Sequence, residues 1–357
     1  MRIGVDAGML GISDERLQVG VWRVAKELLI QLGKIDETNS YTLYSFAPIP
    51  KQVMNEFGHS MVNRVLSPSF GWMQVLLPLE LFLRPVDVFL GLSQALPRTT
   101  AKTIGFVYDL GFLKHPDLYP DSAEKLVHQS ERLASTAGTI VTISEAIKQE
   151  IVKVYEFPAN RIHVANPSVA KEFISTGVKY IHPRPYFLCV GSFKRGKNIA
   201  TLIRAFSQFL KSTPTPIDLM LVGSSYWQDP QIVEAIQSEK IADHVIVKGY
   251  VKDADLAPLY RGALAFVCPS LVEGFGIPFV EAMASGTPVI GSSIPVLKEV
   301  VGEAGILIDP HNINGLALAM KRIVSGKVLR EQLVKKGMAR VKRYSWQKMA
   351  KIVYDLL

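Results

Sequence analysis

The chain has 357 residues, 48% apolar and 20% charged, which suits a soluble globular protein of two or three domains and excludes a disordered or fibrous one. Its two cysteines, Cys189 and Cys268, lie in the apolar runs FLCVG and FVCPS. They read as buried thiols of a protein in a reducing cytoplasm, and they exclude a disulfide framework or a cysteine-built metal site. The net charge of +8 makes anionic partners the ones to look for.

The N-terminus, MRIGVDAGML, has no basic region ahead of a long apolar core and does not read as a signal peptide. A strand is predicted at Arg2–Asp6, then a turn with glycine and a helix near Val21–Leu32. The most apolar stretch runs from Val75 to Leu92, but Pro78, Glu80, Arg84, Pro85 and Asp87 interrupt it. It is too broken to cross a membrane and reads as core. Further strands are predicted at Tyr41–Phe46, Val86–Leu90, Lys102–Val107, Thr139–Ile143 and Ile162–Val164, with a helix at Glu145–Tyr155 capped by Ser144.

At Ser175–Pro185 the alternation gives way to turn residues that read as a linker. It resumes with strands at Tyr186–Val190, Ile217–Val222, Val245–Lys248, Ala265–Cys268 and Pro288–Gly291. Helices are predicted between them at Ile199–Lys211, Ile232–Glu239, Asp255–Arg261 and Pro278–Ala284, and the tail from Asn314 to Leu357 is mostly helical. Two series of alternating strands and helices predict two doubly wound α/β domains, 1–175 and 186–340, with 341–357 as a helix returning toward the first domain. Ligands of such sheets bind outside the carboxyl ends of the strands. Two of them face to face would make a cleft for two substrates.

The charge is uneven. Residues 1–182 hold 18 basic and 18 acidic side chains, whereas residues 183–357 hold 22 and 14. Lys321 to Lys351 alone carries 11 basic residues and one acid, Glu331. Such a field attracts phosphates, anionic lipid or nucleic acid. A solvated helix face explains it equally well, since no stacking aromatics or nucleic-acid motif accompany it.

The most informative run is Pro269 to Ile290, PSLVEGFGIPFVEAMASGTPVI. Gly274 and Gly276 allow close approach of backbone to a ligand, and Pro278 suits the first turn of a helix. That helix N-terminus would offer N–H groups and partial positive charge to a phosphate. Glu273 and Glu281 flank it. They are suited to accept hydrogen bonds from sugar hydroxyls and would repel the phosphate itself.

Glu273 and Glu281, with seven residues between them, resemble the E-x7-E motif of retaining glycosyltransferases. The surrounding wording is similar to glycosyltransferase family 4, the group 1 enzymes. The resemblance implies a GT-B architecture: two facing Rossmann-like domains with an interdomain cleft, acceptor-side first and nucleotide-sugar donor-binding second. VGSFKRGKNIATLIRAF resembles the family's strand, basic loop and helix, where a lysine contacts the donor diphosphate; Lys197 matches it and Asn198 follows. GYVKDADLAPLYRGALAFVCPS resembles the stretch that receives the base, which implies roles for Tyr250, Val251 and Leu256. Gly20 with Val21, Trp22 and Arg23 resembles the family's glycine-rich loop beneath the phosphates. The donor set implied by the resemblance is Gly20, Arg195, Lys197, Tyr250, Val251, Leu256, Glu273, Gly274, Phe275, Gly276, Ile277 and Glu281.

Two positions depart from the family. Where an arginine often precedes the lysine, this chain has Gly196, with Arg195 one place earlier. Where His-Asp-Leu is common, it has Tyr108, Asp109 and Leu110. A tyrosine hydroxyl can donate to a sugar oxygen but is a poor base at neutral pH; an aromatic packed at a strand end is the other reading. The catalytic set implied is Lys197, Glu273, Asp109 and Tyr108.

The implied reaction is retaining transfer of a hexose, mannose or a related deoxyhexose favoured. The donor is a nucleotide diphosphate sugar, GDP-linked by preference and UDP-linked as the alternative. The acceptor is a glycan or lipid-linked glycan in cell-surface polysaccharide synthesis such as lipopolysaccharide. Lys197, Arg195 and the helix N-terminus would stabilise the leaving diphosphate, with no metal or other cofactor required. No HExxH spacing, Walker A loop, GxSxG elbow or GxGxxG run is present. A second reading, motivated by Tyr108 and Gly196, is a non-catalytic nucleotide-sugar-binding partner in a polysaccharide-assembly complex. A third, a nucleic-acid binder, requires steep salt dependence and is not adopted. A cytoplasmic protein touching the anionic inner membrane face through its basic C-terminal helices is a further expectation.

Overall fold

Thirteen strands are seen in the computed structural model, which describes residues 1–18, 20–223 and 229–357. They form two sheets, both wholly parallel. The chain divides into two units, Met1–Pro167 with Ser345–Leu357, and Ser168–Tyr344.

In the first unit the strands are β1 (Arg2–Asp6), β2 (Ser40–Ser45), β3 (Met61–Val65), β4 (Val88–Gly91), β5 (Lys102–Val107), β6 (Thr139–Thr142) and β7 (Ile162–Val164). Their order is β3-β2-β1-β4-β5-β6-β7. The inner strands are near-continuous apolar runs; β4, VFLG, is buried at every position, as expected where helices cover both faces. Helix Gly20–Ile35 buries Val24, Ala25, Leu28, Leu29 and Leu32, spaced three and four apart on one face. The C-terminal helix Trp346–Tyr354, capped by the Ser345 hydroxyl, packs against it. Helix Glu145–Tyr155 begins at the expected Ser144 cap, whose hydroxyl accepts from Ile147 N–H at 3.3 Å.

In the second unit the strands are β8 (Tyr186–Val190), β9 (Asp218–Val222), β10 (Val245–Gly249), β11 (Ala265–Cys268), β12 (Val289–Ser292) and β13 (Gly305–Ile308), ordered β10-β9-β8-β11-β12-β13. Counted from β8, this is the Rossmann order 3-2-1-4-5-6. In each sheet the strand order reverses once, between β1 and β4 and between β8 and β11. Crevices outside the carboxyl ends at such switch points are where doubly wound sheets hold ligands.

The strands at Lys102–Val107, Ile162–Val164, Tyr186–Val190 and Ala265–Cys268 have the expected ends. Sequence reasoning missed β3, β13 and the helices Leu77–Leu83, Ala123–Thr136 and Pro295–Val300. Strand β3 is an edge strand holding Asn63 and Arg64, so it lacks the apolar run that marks a buried strand. The stretch from Val75 to Leu92 meets the expectation of core packing in part, with Leu77, Leu81, Phe89 and Leu92 buried. Its second part becomes β4, but Val75, Leu79, Phe82 and Leu83 are exposed. No described helix is long and apolar enough to cross a membrane.

Candidate active site

In the second unit, β8 and β11 lie side by side at the switch point. The loop after β8 opens with Gly191, makes a tight turn at Arg195–Lys197 and enters helix Ile199–Leu210 through Asn198. Asn198 has φ of 56°, a left-handed conformation that asparagine tolerates better than most residues. Its side-chain amide donates to the carbonyls of Pro269 at 3.1 Å and Pro310 at 2.8 Å. One residue thereby ties the loops after β8, β11 and β13 together. Leu271 N–H donates to the Gly196 carbonyl at 2.8 Å and closes the same seam.

These ties bring Lys197 and Glu273 together. Lys197 Nζ lies 2.6 Å from Glu273 Oε1, with side chains 20% and 10% exposed. The same carboxylate oxygen accepts from the Ser270 hydroxyl at 2.7 Å, and Ser270 Oγ lies 3.1 Å from Cys268 Sγ. Burial alone would lower the lysine pKa; the Glu273 carboxylate outweighs it and raises the value, so Lys197 is an ammonium throughout the neutral range. Cys189 and Cys268 are both free and buried, as their sequence context implied.

The other expected donor residues are distributed around this pair. Gly276 has φ of 89° and opens helix Ile277–Ala284, with Pro278 in its first turn. Gly274 and Ile277 are half-buried. Tyr250 is 43% exposed beyond the end of β10, with Val251 after it. Arg195 is half-exposed, and its Nε is 3.9 Å from Asp229 Oδ1. Leu256 and Phe275 are interior, Phe275 packed edge-on to Tyr344 at 5.0 Å. Glu281 is 3% exposed, and its Oε2 accepts from the Tyr260 hydroxyl at 3.0 Å. The tyrosine is held in turn by Thr287, whose hydroxyl donates to the Tyr260 carbonyl at 2.6 Å. Ser270 and Tyr260, the immediate partners of the two glutamates, were not picked out from sequence, since neither differs in kind from any other serine or tyrosine until the sheet brings it into place.

In the first unit the ends of β1, β4 and β5 converge at the other switch point. Asp6, at the end of β1, is 1% exposed and accepts from Gly8 N–H and Ser93 N–H, each at 3.2 Å, and from the Ser93 hydroxyl. Burial pushes its pKa up, against the pull of these bonds. Gln94, at φ of 61°, brackets the end of β5: its Oε1 accepts from Tyr108 N–H at 3.1 Å and its Nε2 donates to the Asp109 carbonyl at 3.0 Å. Asp109 Oδ1 accepts from Gly111 N–H at 3.0 Å. A cavity of about 190 Å³ lies here, with Gln94, Tyr108, Asp109, Phe112 and Tyr119 among its walls. Gly20 begins the helix whose next residue, Val21, also lines it.

Tyr108 departs from expectation. It is 5% exposed, and its hydroxyl donates to the Leu92 carbonyl at 2.8 Å. The proton expected for a sugar oxygen is already given to the backbone. Burial raises the Tyr108 pKa further from neutrality, so the hydroxyl keeps its proton at neutral pH. Asp6, Ser93 and Gln94 were missed; the one available signal was an aspartate ending the first strand of a doubly wound sheet.

Residues 171–340 match the family model for glycosyl transferases group 1. Over 273 residues, 73% of this chain and 71% of the relative, the sequence is 28% identical to an O-antigen chain mannosyltransferase B of Escherichia coli. It is 27% identical over 271 residues to the serotype-specific mannosyltransferase WbdA of the same species, of which the match spans only 33%. Among solved structures, a sucrose-phosphate synthase of Thermosynechococcus elongatus superposes with a TM-score of 0.78 over 99% of this chain and 98% of its own, at 20% identity, so the likeness is one of fold. The fold is thus of the GT-B class, and the sequence is similar to the group 1, mannosyltransferase-like glycosyltransferases, whose family model its second unit matches.

Proposed function

We propose that this chain is a retaining hexosyltransferase that moves mannose or a related deoxyhexose from a nucleoside diphosphate sugar to a glycan or lipid-linked glycan in cell-surface polysaccharide synthesis. The carrying observation is the Lys197–Glu273 pair, 2.6 Å apart at the switch point of the unit that bears the group 1 match. The two charges suit the two ends of such a donor. The ammonium of Lys197 meets the diphosphate, on which negative charge grows as the sugar departs. Glu273 accepts from the sugar hydroxyls. The helix at Ile277–Ala284 adds backbone N–H groups at its start, and Glu281 is assigned to the ribose.

In this reading the second unit is the donor side and the first the acceptor side. The first unit's cavity, with Asp109, Gln94 and ring faces, suits a sugar hydroxyl and its apolar flank. GDP-sugars are preferred because relatives carry mannosyltransferase names, with UDP-sugars the alternative; no metal is assigned to the leaving group, since Lys197 supplies its positive charge. A lipid-linked acceptor would bring the protein to an anionic membrane face, to which the basic helices Ile313–Ser325 and Lys327–Val341 would be attracted. One observation favours a non-catalytic nucleotide-sugar-binding partner instead: the Tyr108 hydroxyl is committed to Leu92.

The test is a thermal-shift screen with GDP, UDP, ADP and dTDP and their common sugars, followed by a transfer assay with the donor that shifts. A selective shift with sugar transfer supports the enzyme; a shift without transfer supports the binding partner; no shift refutes both.

A further inference from the structure

Among the described residues, four that are not glycine hold a left-handed backbone: Gln94, Glu156, Asn198 and Lys240. Glu156 and Lys240 follow the last turn of a helix, where that conformation is a common way to stop. Asn198 belongs to a residue type that tolerates it. Gln94 has neither reason. Glycine would take its φ of 61° without strain, so the side chain has to account for the glutamine.

Strand β4 pairs with β5 only as far as Gly91, opposite Gly105. Beyond it the chain doubles back so closely that a Cβ on Gly91 would lie 2.5 Å from the Ala95 carbonyl oxygen. Strand β5 runs on to Val107 after β4 has turned away. There the Gln94 side-chain amide stands in for the missing peptide. Its Oε1 accepts from Tyr108 N–H at 3.1 Å, and its Nε2 donates to the Asp109 carbonyl at 3.0 Å. The residues before it are pinned as well. Asp6 holds Ser93 through its N–H and its hydroxyl, and the Leu92 carbonyl accepts from the Tyr108 hydroxyl at 2.8 Å. Gln94 and Asp109 both line the cavity of the first unit.

We infer that Gln94 is a positioning residue: it fixes the backbone of Asp109 and so aims that carboxylate at a hydroxyl of a sugar held in the cavity. With its oxygen and nitrogen both turned to the end of β5, Gln94 acts through Asp109 and not as a ligand of the sugar. The ligand class is a pyranoside that donates a hydroxyl to the carboxylate and lays C–H groups against Phe112 and Tyr119, which also line the cavity. The inference rests on the reading of the first unit as the side that takes the acceptor sugar.

The experiment is saturation-transfer NMR of methyl α-mannoside and methyl α-rhamnoside, titrated against the full chain with GDP present. The proteins are the parent, Gln94→Gly, Gln94→Glu, Asp109→Asn and Gln94→Gly/Asp109→Asn. Calorimetry with GDP and thermal unfolding accompany each. Gln94→Gly keeps the turn and removes the amide. Gln94→Glu keeps an acceptor for Tyr108 N–H but sets a carboxylate against the Asp109 carbonyl. Both are expected to bind the glycoside about tenfold or more weakly, the loss of one hydrogen bond to a carboxylate, with GDP affinity unchanged. The double variant is expected to bind within about twofold of Asp109→Asn alone, since the two residues act as one. Glycoside binding by folded Gln94→Gly equal to the parent's would overturn the inference. So would a double variant that loses the product of the two single factors, a loss of GDP binding in step with glycoside binding, or a parent that binds neither glycoside. A parent that binds a glycoside but transfers no sugar fails the enzyme reading, and the same binding differences still decide the inference.

Discussion

If Lys197 and Glu273 form a mutual pair, replacing both partners must cost less than the sum of the two single replacements. The side chains are 20% and 10% exposed and 2.6 Å apart, so neither charge has much water to fall back on. Lys197→Met leaves Glu273 with the Ser270 hydroxyl in place of its counter-charge, and removal of one member of a buried pair typically costs about 3–5 kcal/mol. Partial exposure favours the lower end, about 3 kcal/mol, or roughly 6–12 °C in the unfolding temperature of a domain of this size. Glu273→Gln should cost a similar amount by stranding the ammonium. The double variant Lys197→Met/Glu273→Gln should recover about 1–3 kcal/mol of the summed losses. The folded-state pKa of Lys197 is raised, so its contribution is fully present below the unfolded lysine pKa and lost only as pH rises beyond it. Between pH 6 and pH 9, about the neutral range of stability, the coupling should therefore be flat. Urea denaturation of the four proteins measures it. A coupling energy under about 0.5 kcal/mol, with Lys197→Met as stable as the parent, would refute the pairing.

Other consequences follow from single groups. Glu273→Gln frees Lys197 from its carboxylate, so the nucleoside diphosphate without sugar should bind at least as tightly as to the parent while turnover falls; calorimetry and a transfer assay read the two separately. Tyr108→Phe strands the buried Leu92 carbonyl and should cost about 1–2 kcal/mol of stability, with transfer rate changed by less than about tenfold; a larger loss of rate at unchanged stability would return the hydroxyl to the chemistry. Gly276→Ala forces a side chain into a left-handed position with Leu297 Cδ2 at 2.9 Å from the new Cβ. It should cost about 1–2 kcal/mol and weaken donor binding, read by thermal shift. Because the Asp6 pKa is raised in the folded state, the parent loses stability as pH climbs from the ordinary aspartate value of 3.8 through the folded one. The unfolding free energy of Asp6→Asn, measured against the parent, should accordingly rise across that window.

What was legible in the sequence tracks what local pattern can carry. Strands β8 and β11 announced themselves as apolar runs, FLCVG and FVCPS, and the glycines and prolines between Glu273 and Glu281 marked a loop entering a helix. The resemblance supplied Lys197, but not that it and Glu273 would touch. That contact spans 76 positions and exists because β8 and β11 are neighbours and Asn198 ties their loops. Tyr108 could be read from sequence as a binding group or as a packed aromatic; only the position of the Leu92 carbonyl decides where its proton goes. The stretch from Val75 to Leu83 misled in part for a related reason. Composition says that leucines and phenylalanines are present, but which face the helix turns inward is set by Glu80 closing on Arg64 and Arg84.

The central claim is that Lys197 stabilises the departing diphosphate of a nucleotide sugar. The measurement that tests it most directly is release of nucleoside diphosphate from the donor chosen by the thermal-shift screen, for the parent and for Lys197→Met. It is made with acceptor and chelator present, at a temperature where both proteins are folded. The account predicts turnover by the parent and a loss of roughly 100–1000-fold in Lys197→Met. Equal turnover by the two folded proteins would contradict it.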